Sequence, residues 1–234
     1  STLAWGVNLP ARAVVIKGTD IFDPERGGLV DISILDVMQI FGRAGRPQFD
    51  DKGEATLITS HKALGRYLDK LVREVPIESS FIKRLPDHLN AEVAGGTVTN
   101  ISEAAEWLSY TYLHVRMKRN PVTYGVSIDA AESDPGLVNR SKELITEAAK
   151  ELDDKRMVRF DTLSGNLSIT DLGRVASSFY VRGDSVSIFN TVLDREPNMI
   201  DGGDLCHLVC QAEEFENVKV RKDETEEIDS LKDD

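Results

Sequence analysis

The first part of the chain alternates short apolar runs with amphipathic stretches, a pattern typical of an α/β layer. The β-branched run Ala13–Ile16 and a second run at residues 56–59 predict buried parallel strands. Between them, the pattern predicts a helix over 36–43, and the Asp-Pro and Gly-Gly pairs within 21–32 predict a hairpin-like insertion. Apolar residues at helical spacing then predict a helix over 62–74.

Beyond residue 75 the apolar spacing becomes mainly helical. It predicts helices over residues 77–85, 89–94, 103–119, 137–152, 171–181, 185–193 and 204–215. We expect Pro86 to break the first of these helices and Ser102 to cap the third. Residues 157–161 and 167–169 flank the turn sequence Ser164-Gly165-Asn166 and predict a β-hairpin. Three helices with a hairpin predict a winged helix, and the later short helices predict the opening of a helical bundle.

Composition and charge narrow the class of protein. Apolar residues make up 41% of the 234 residues, enough for a core, and no apolar run approaches the roughly 20 residues of a membrane span. No signal peptide opens the chain, so we expect no membrane partner. Two cysteines are too few for a disulfide framework, which favours a reducing compartment, the nucleus or the cytoplasm.

The net charge of −12 argues against a surface that coats nucleic acid generally. Residues 211–234 contain ten acidic and four basic residues and supply half of this charge. The rest of the chain therefore leaves room for a local basic channel.

The strongest chemical signal is the nonapeptide QIFGRAGRP at residues 39–47. Arg43 and Arg46 each follow a glycine at a predicted helix end, and glycine lets the backbone approach a ligand closely. Two planar guanidinium groups suit the terminal oxygens of a triphosphate and can stabilise charge during phosphoryl transfer. The alternative for an arginine pair is a surface salt-bridge helix, but the whole nonapeptide favours phosphate binding.

A second motif, STLAWGVNLPA, occupies residues 1–11. Gly6 permits a tight turn after an apolar start, and Asn8 offers an amide near that turn. With a predicted strand between the two motifs, the pair resembles motifs V and VI of superfamily 2 helicases of the Ski-like branch. Segments 76–79, 89–92 and 107–113 resemble the linker and winged helix of that branch, so the resemblance extends along the chain.

The resemblance implies three domains. Residues 1–74 would form the C-terminal part of a second RecA-like helicase lobe, and residues 75–169 a winged-helix domain. Residues 170–234 would begin a helical ratchet, or Sec63-like, domain. The expected fold class is therefore α/β followed by mainly α. The detail is most similar to the N-terminal cassette of large members that carry two helicase cassettes.

In this branch ATP lies between two RecA-like lobes. The resemblance implies that Arg46, Arg43 and Gln39 are catalytic, with Arg46 as the arginine finger that reaches the γ-phosphate. It also implies that Gly6, Asn8 and Gly42 lie near the nucleotide. ATP and Mg²⁺ would bind the full-length protein. We expect no cofactor in this segment, because its sequence contains no phosphate-binding P-loop and no Asp-Glu-x-His box.

The position between the two motifs holds a strand-separating hairpin in this branch, here at about residues 18–32. The resemblance implies that Phe22 is the wedge at the duplex junction and that Lys17 and Arg26 contact nucleic acid. An ordinary surface hairpin is the alternative.

Two other clusters suggest sites that we do not favour. Arg116, with its basic neighbours at 118 and 119, invites a nucleic-acid interpretation, but the apolar residues of the same predicted helix favour a brace against protein. Cys206, His207 and Cys210 supply at most three metal ligands where a structural zinc site usually needs four. We therefore expect buried thiols and no metal.

The resulting hypothesis is a segment of an ATP-dependent 3′-to-5′ helicase that is inactive alone. Its expected partners are an RNA or DNA duplex with a single-stranded overhang, the upstream RecA-like lobe of the same chain, and additional subunits of a multiprotein complex. A cointegrator, ribosome-rescue or repair complex is favoured, with a spliceosomal helicase as the alternative. Two competing hypotheses are a non-catalytic cassette that acts as a protein-interaction scaffold and a plain winged-helix DNA-binding protein.

Overall fold

The computed structural model describes residues 10–23, 28–46, 48–72, 76–195, 201–216, 218 and 224. The chain divides into two compact units, residues 1–77 and residues 78–234. The first unit is α/β and the second is mainly helical, so the fold class expected from the sequence is confirmed. No helix in the described part of the chain combines the length and the apolar character that crossing a membrane requires.

The first unit is built on one pair of parallel strands. Its elements are β1 (Ala13–Ile16), β2 (Asp20–Asp23), β3 (Gly28–Asp31), α1 (Ile34–Phe41), β4 (Glu54–Leu57) and α2 (His61–Val72). β1 pairs with β4, with Val15 opposite Thr56, while β2 and β3 form an antiparallel hairpin inserted between β1 and α1. The predicted order of strand, hairpin, helix and strand is therefore confirmed.

A small core holds these elements together. Ile16, Val37, Ala63 and Tyr67 are buried. The Tyr67 hydroxyl donates to the carbonyl of Ile32 at 2.8 Å and so ties α2 to the chain that leads into α1.

The start of α1 is fixed by Ser33. Its hydroxyl oxygen accepts a hydrogen bond from the Asp36 backbone N–H at 3.1 Å. This cap starts the helix two residues before the predicted position, because it satisfies a backbone donor that the first turn leaves without a helical partner.

The second unit contains ten further regular elements and three short 3₁₀ turns among its described residues. The elements are α3 (Leu85–Gly95), α4 (Ile101–Ser109), α5 (Tyr112–Arg119), α6 (Ile128–Ser133), α7 (Val138–Asp154), β5 (Val158–Phe160), β6 (Leu167–Ile169), α8 (Asp171–Phe179), α9 (Gly183–Arg195) and α10 (Gly202–Cys210). The 3₁₀ turns are Phe81–Arg84, Pro121–Tyr124 and Glu213–Phe215.

Helices α3, α4 and α7 enclose the core of this unit, and the β5–β6 hairpin forms its wing. Leu89, Leu108 and Ile145, one from each helix, are fully buried. In the wing, Val158 pairs with Ile169 and Phe160 with Leu167. The winged helix predicted from the sequence is confirmed.

Three of the predicted helix boundaries and caps are wrong. The predicted helix over 77–85 is only the 3₁₀ turn Phe81–Arg84, and Pro86 does not break a helix but lies in the first turn of α3, where a missing N–H costs no helical hydrogen bond. The predicted helix over 103–119 is two helices, because the side chain of Thr111 caps a new helix by accepting from the His114 N–H at 3.4 Å. α4 is capped by Asn100, whose side chain accepts from two backbone N–H groups at 3.0 Å, and not by Ser102.

Helix α8 packs closely on the winged helix at Gly173. The Asn90 side-chain amide donates to the Gly173 carbonyl at 2.9 Å. A Cβ atom at position 173 would lie 2.0 Å from the Met157 carbonyl oxygen, so only glycine fits. α9 attaches differently, through ion pairs of Lys155 with Asp184 and of Arg156 with Asp194, both at 2.6 Å.

We predict that Gly173→Ala lowers the free energy of unfolding of the second unit by more than about 2 kcal/mol, because the added methyl group overlaps backbone that must move. Gly95→Ala is the matched control: it lies in α3 with open space around it, and alanine there is neutral or stabilising by up to about 1 kcal/mol. Urea unfolding of the two variants measures both changes. Equal stability of Gly173→Ala and wild type would contradict the packing described.

Candidate functional site

The arginine motif lies where α1 ends, as the sequence predicted. The Gly42 N–H donates to the Met38 carbonyl at 2.8 Å. The Arg43 and Ala44 N–H groups donate to carbonyls of Ile40 and Phe41 at 3.1 and 2.9 Å, which tightens the last turn. The chain therefore leaves the helix at the first arginine of the motif.

The loop that follows is hydrogen-bonded to the segment just before β1. The Ala11 N–H donates to the Arg43 carbonyl at 2.9 Å, and the Gly45 N–H donates to the Ala11 carbonyl at 2.6 Å. These bonds form a parallel bridge between Ala11 and Ala44, beside the β1–β4 pair. The backbone that carries both arginines is thus anchored to the strands.

Two glycines make this arrangement possible. Gly45 has φ +96°, a left-handed conformation that favours glycine. Gly53 faces the loop so closely that a Cβ atom there would lie 2.6 Å from the carbonyl carbon and oxygen of Ala44. The sequence around Gly53 does not reveal this constraint, because it comes from a backbone contact across the fold.

Arg46 forms a bidentate ion pair with Asp50. Its Nε donates to Asp50 Oδ2 at 2.6 Å and its Nη2 donates to Oδ1 at 3.0 Å. The Arg46 backbone N–H also donates to Oδ2 at 3.2 Å, and the N–H groups of Phe49 and Asp50 both donate to the Arg46 carbonyl at 2.8 Å. The turn from 46 to 50 is therefore closed by backbone and side-chain hydrogen bonds together.

Burial within this pair is unequal. The Asp50 side chain is 7% exposed, whereas the Arg46 side chain is 44% exposed. The hydrogen bond from Arg46 holds the pKa of Asp50 below its usual value, and the same bond raises the pKa of Arg46. The guanidinium also lies 5.6 Å above the ring of Phe49, within the range of a cation–π contact. The result is a charged, accessible guanidinium held by a largely buried carboxylate.

The other predicted ATP-site residues are only partly brought together. Gly42 and Arg43 share the loop with Arg46, and Arg43 is half-buried. Gln39 lies exposed on α1, one turn before the loop. Gly6 and Asn8 lie outside the described residues.

The hairpin presents an apolar pair. Phe22 lies directly opposite Leu29 in the β2–β3 register, and the two residues are 60% and 73% exposed. Residues directly opposite each other in an antiparallel pair project from the same face of the hairpin. Lys17 is exposed just after β1, and Arg26 lies outside the described residues. The hairpin thus carries an exposed apolar pair, and an exposed cation precedes it in the chain.

Arg116, considered above as a nucleic-acid contact, is buried within the second unit. Its Nε and Nη2 donate to the two carboxylate oxygens of Glu78 at 3.1 and 2.8 Å. Asn120 Nδ2 and the Tyr124 hydroxyl donate to the same carboxylate at 2.9 and 2.7 Å. Arg116 therefore stabilises the interior of this unit and is not available as a nucleic-acid contact.

These donors lower the pKa of Glu78 to about 2, with the hydrogen bond from Arg116 as the largest cause. The sequence alone does not predict the Glu78 cluster, because Glu78 lies far along the chain from its three donors. The basic neighbours of Arg116, Lys118 and Arg119, are exposed.

The prediction of buried thiols is wrong. Cys206 and Cys210 are both exposed, because α10 buries Leu208 from its opposite side instead. His207 is exposed as well. Among the described residues, no three or more His, Cys, Asp or Glu side chains are grouped so that they could hold a metal ion.

Comparison with known proteins gives two domain matches. The model of the Winged Helix-turn-helix domain matches residues 78–155. The model of the Sec63 Brl domain matches residues 169–234. The two matches follow the order of the winged helix and the helices after it.

The chain is also similar to long curated proteins. Activating signal cointegrator 1 complex subunit 3 is 53% identical over 231 residues in Gallus gallus and 52% identical over 231 residues in Homo sapiens, each covering 99% of this chain and 10% of the relative. The DExH-box ATP-dependent RNA helicase DExH14 of Arabidopsis thaliana is 52% identical over 231 residues, covering 99% of this chain and 11% of the relative. The chain thus spans about a tenth of the length of these relatives.

We predict that Glu78→Gln lowers the melting temperature of the second unit at pH 7, because Arg116 loses its charged partner. The folded-state pKa of Glu78 lies below its usual 4.5, so its stabilising effect is present above about pH 5 and is lost as the pH falls towards 2. The difference in melting temperature between wild type and variant should therefore shrink over that range. Thermal melts at several pH values test this, and a difference that stays constant down to pH 2 would contradict it. Glu143→Gln, which removes an exposed pair with Arg140, is the control.

Proposed function

The chain belongs to the Ski-like branch of the superfamily 2 helicases, and from this membership we propose that it supplies the arginine finger and the strand-separating hairpin of an ATP-dependent helicase. The observation that carries the proposal is the arginine loop itself. Its backbone is anchored beside the β1–β4 pair, and it presents Arg46 charged and exposed.

Arg46 suits the γ-phosphate of ATP on chemical grounds. A guanidinium is planar and always charged, so it can donate to several phosphate oxygens at once. In phosphoryl transfer, such a group stabilises the negative charge that spreads over the transferred phosphate. We assign this role to Arg46, place Arg43 and Gly42 beside the nucleotide, and propose that Gln39 couples the nucleotide to the facing lobe.

The remaining parts of an ATP site are absent from this sequence. The chain contains no P-loop and no Asp-Glu-x-His box, and these motifs hold the phosphates and Mg²⁺ in such motors. Bound Mg²⁺ would neutralise phosphate charge. The role of this chain is to present hydrogen-bond donors to the terminal phosphate. Because it lacks the two motifs that hold the phosphates and Mg²⁺, the segment alone should not hydrolyse ATP.

The hairpin supports a role on nucleic acid. The exposed pair of Phe22 and Leu29 offers an apolar surface on which a terminal base pair can stack once its neighbour is lost. Lys17, exposed at the root of the hairpin, can meet a phosphate. We propose that the duplex is split here, with 3′-to-5′ polarity.

The domain arrangement and the wider setting are part of the same proposal. We place domain boundaries near residues 75 and 170. The break between residues 77 and 78 and the start of the Sec63 match at residue 169 support them. The segment would belong to the N-terminal cassette of a nuclear or cytoplasmic helicase within a multiprotein complex. The cointegrator-complex subunits and the RNA helicase among its relatives support this setting.

We predict that Arg46→Ala lowers the nucleic-acid-stimulated ATPase of the full-length helicase by roughly 10³-fold or more, because the transition-state charge loses its partner. Arg159→Ala, which changes an exposed arginine of the wing, is the control and should leave the rate unchanged. A loss of less than about tenfold with Arg46→Ala would contradict the arginine-finger role. No activity in wild type or variant would favour the non-catalytic scaffold.

Phe22→Ala should slow strand separation several-fold while the ATPase rate stays close to wild type, because only the wedge is removed. The control is Leu163→Ala, since Leu163 is 97% exposed in the turn of the other hairpin. Unwinding of a fluorescent duplex with a 3′ overhang and ATPase are measured on the same preparations. Parallel losses of unwinding and ATPase would argue against a wedge.

A further inference from the structure

The Arg46 guanidinium has two edges that can donate hydrogen bonds, and Asp50 occupies only one of them. Arginine has five N–H donors, one on Nε and two on each Nη. Asp50 takes one from Nε and one from Nη2, so it occupies the side-on edge of the group. Three donors remain, and two of them, one on Nη1 and one on Nη2, face the end-on edge, away from the carboxylate.

The burial of the pair matches this division. Asp50 is almost fully covered, and its Oδ2 also accepts from the Arg46 backbone N–H, so the carboxylate is fixed to the same turn that it orients. The Arg46 side chain is nearly half exposed. The carboxylate that holds Arg46 is buried, whereas the guanidinium is open to solvent. This arrangement suits an arginine that binds a ligand held by another lobe.

We propose that Asp50 is the positioning residue for Arg46: its carboxylate holds the side-on edge of the guanidinium and directs the end-on edge towards the γ-phosphate of ATP. The inference rests on the proposed arginine-finger role and adds the group that orients the finger. A long, flexible side chain loses conformational freedom when it engages a ligand. A side chain already held by its own turn loses less at that moment, so a larger share of its interaction is available in the transition state.

The hydrogen bond from Arg46 lowers the pKa of Asp50, as expected for an ionised carboxylate paired with a guanidinium. Phe49 contributes from the face of the group, where its ring lies 5.6 Å from the guanidinium carbon. Arg46 is therefore restrained in three ways. Asp50 binds one edge of its guanidinium, Phe49 lies against the face of the guanidinium, and backbone hydrogen bonds hold its main chain.

The test uses the full-length helicase polypeptide that contains this segment. Asp50→Asn keeps the size of the side chain but replaces one acceptor oxygen with a donor that repels the guanidinium. Asp51→Asn is the matched control, because Asp51 is the next residue, carries the same charge and is exposed. ATPase is measured for wild type, both single variants, Arg46→Ala and the double variant Arg46→Ala/Asp50→Asn.

We expect Asp50→Asn to lower kcat by roughly 10- to 100-fold with little change in the KM for ATP, because orientation in the transition state is lost and binding of the ground state is kept. Asp51→Asn should match wild type. The double variant should be no slower than Arg46→Ala, because Asp50 acts only through Arg46. A wild-type kcat, a raised kcat or fully additive losses would overturn the inference; a raised kcat would show that Asp50 restrains Arg46 from the phosphate.

A second measurement does not depend on how the variants fold. In ¹⁵N NMR spectra of the wild-type chain, the Arg46 Nε–H should exchange slowly with solvent, because it is bonded to a nearly buried oxygen. Fast exchange would overturn the inference. The two proposals fail separately: unchanged ATPase in Arg46→Ala removes the finger role, whereas a loss in Arg46→Ala without a loss in Asp50→Asn removes only the role of Asp50.

Discussion

Two backbone hydrogen bonds, from Ala11 to Arg43 and from Gly45 to Ala11, hold the arginine loop in place. They tie the loop to the chain that enters β1, so its position follows from the strand pairing and not from its own flexible residues. They also bring the loop so close to Gly53 that a side chain at position 53 would overlap the loop backbone. The turn that orients Arg46 begins at once after this anchored segment. The proposed chemistry of Arg46 thus depends on an arrangement of main-chain atoms.

The second unit depends on a different kind of constraint. Its core is apolar, but a single carboxylate, that of Glu78, collects donors from Arg116, Asn120 and Tyr124. The cluster fixes the first residue of the unit to the winged helix and occupies the most buried arginine of α5. The charge of Arg116, which could otherwise bind nucleic acid, is paired with Glu78 inside the unit.

The sequence predicted much of the architecture because the relevant signals are local. The β-branched run at 13–16, the turn sequence at 164–166 and the spacing of apolar residues over 137–152 each correspond to an element of the structure. The differences arise where two local signals compete. Proline is common both after the end of a helix and in its first turn, and Pro86 lies in a first turn; the caps are Asn100 and Thr111, each close to other polar residues that could have capped a helix. Whether a cysteine is buried depends on which face of α10 packs, which periodicity over nine residues leaves undecided.

The residues of the candidate site also differ in how far the sequence reveals them. The glycines and arginines of residues 39–47 are distinctive in their spacing, so the loop that carries Arg43 and Arg46 could be located from the sequence alone, while their role towards phosphate stays a prediction. The partners of Arg46 could not be named from the sequence. Asp50 nevertheless lies four residues after Arg46, a spacing that allows the ion pair seen in the structure. Gly53 carried no local signal, because its role is defined by a neighbour brought close only by the fold.

The most direct test of the account is a structure of the full-length helicase bound to nucleic acid and to ADP with aluminium fluoride, which mimics the transferred phosphate. Nη1 or Nη2 of Arg46 should lie within hydrogen-bond distance of the fluoride, while Nε of Arg46 still donates to Asp50. An Arg46 side chain directed away from the nucleotide, or another arginine at the fluoride, would contradict it.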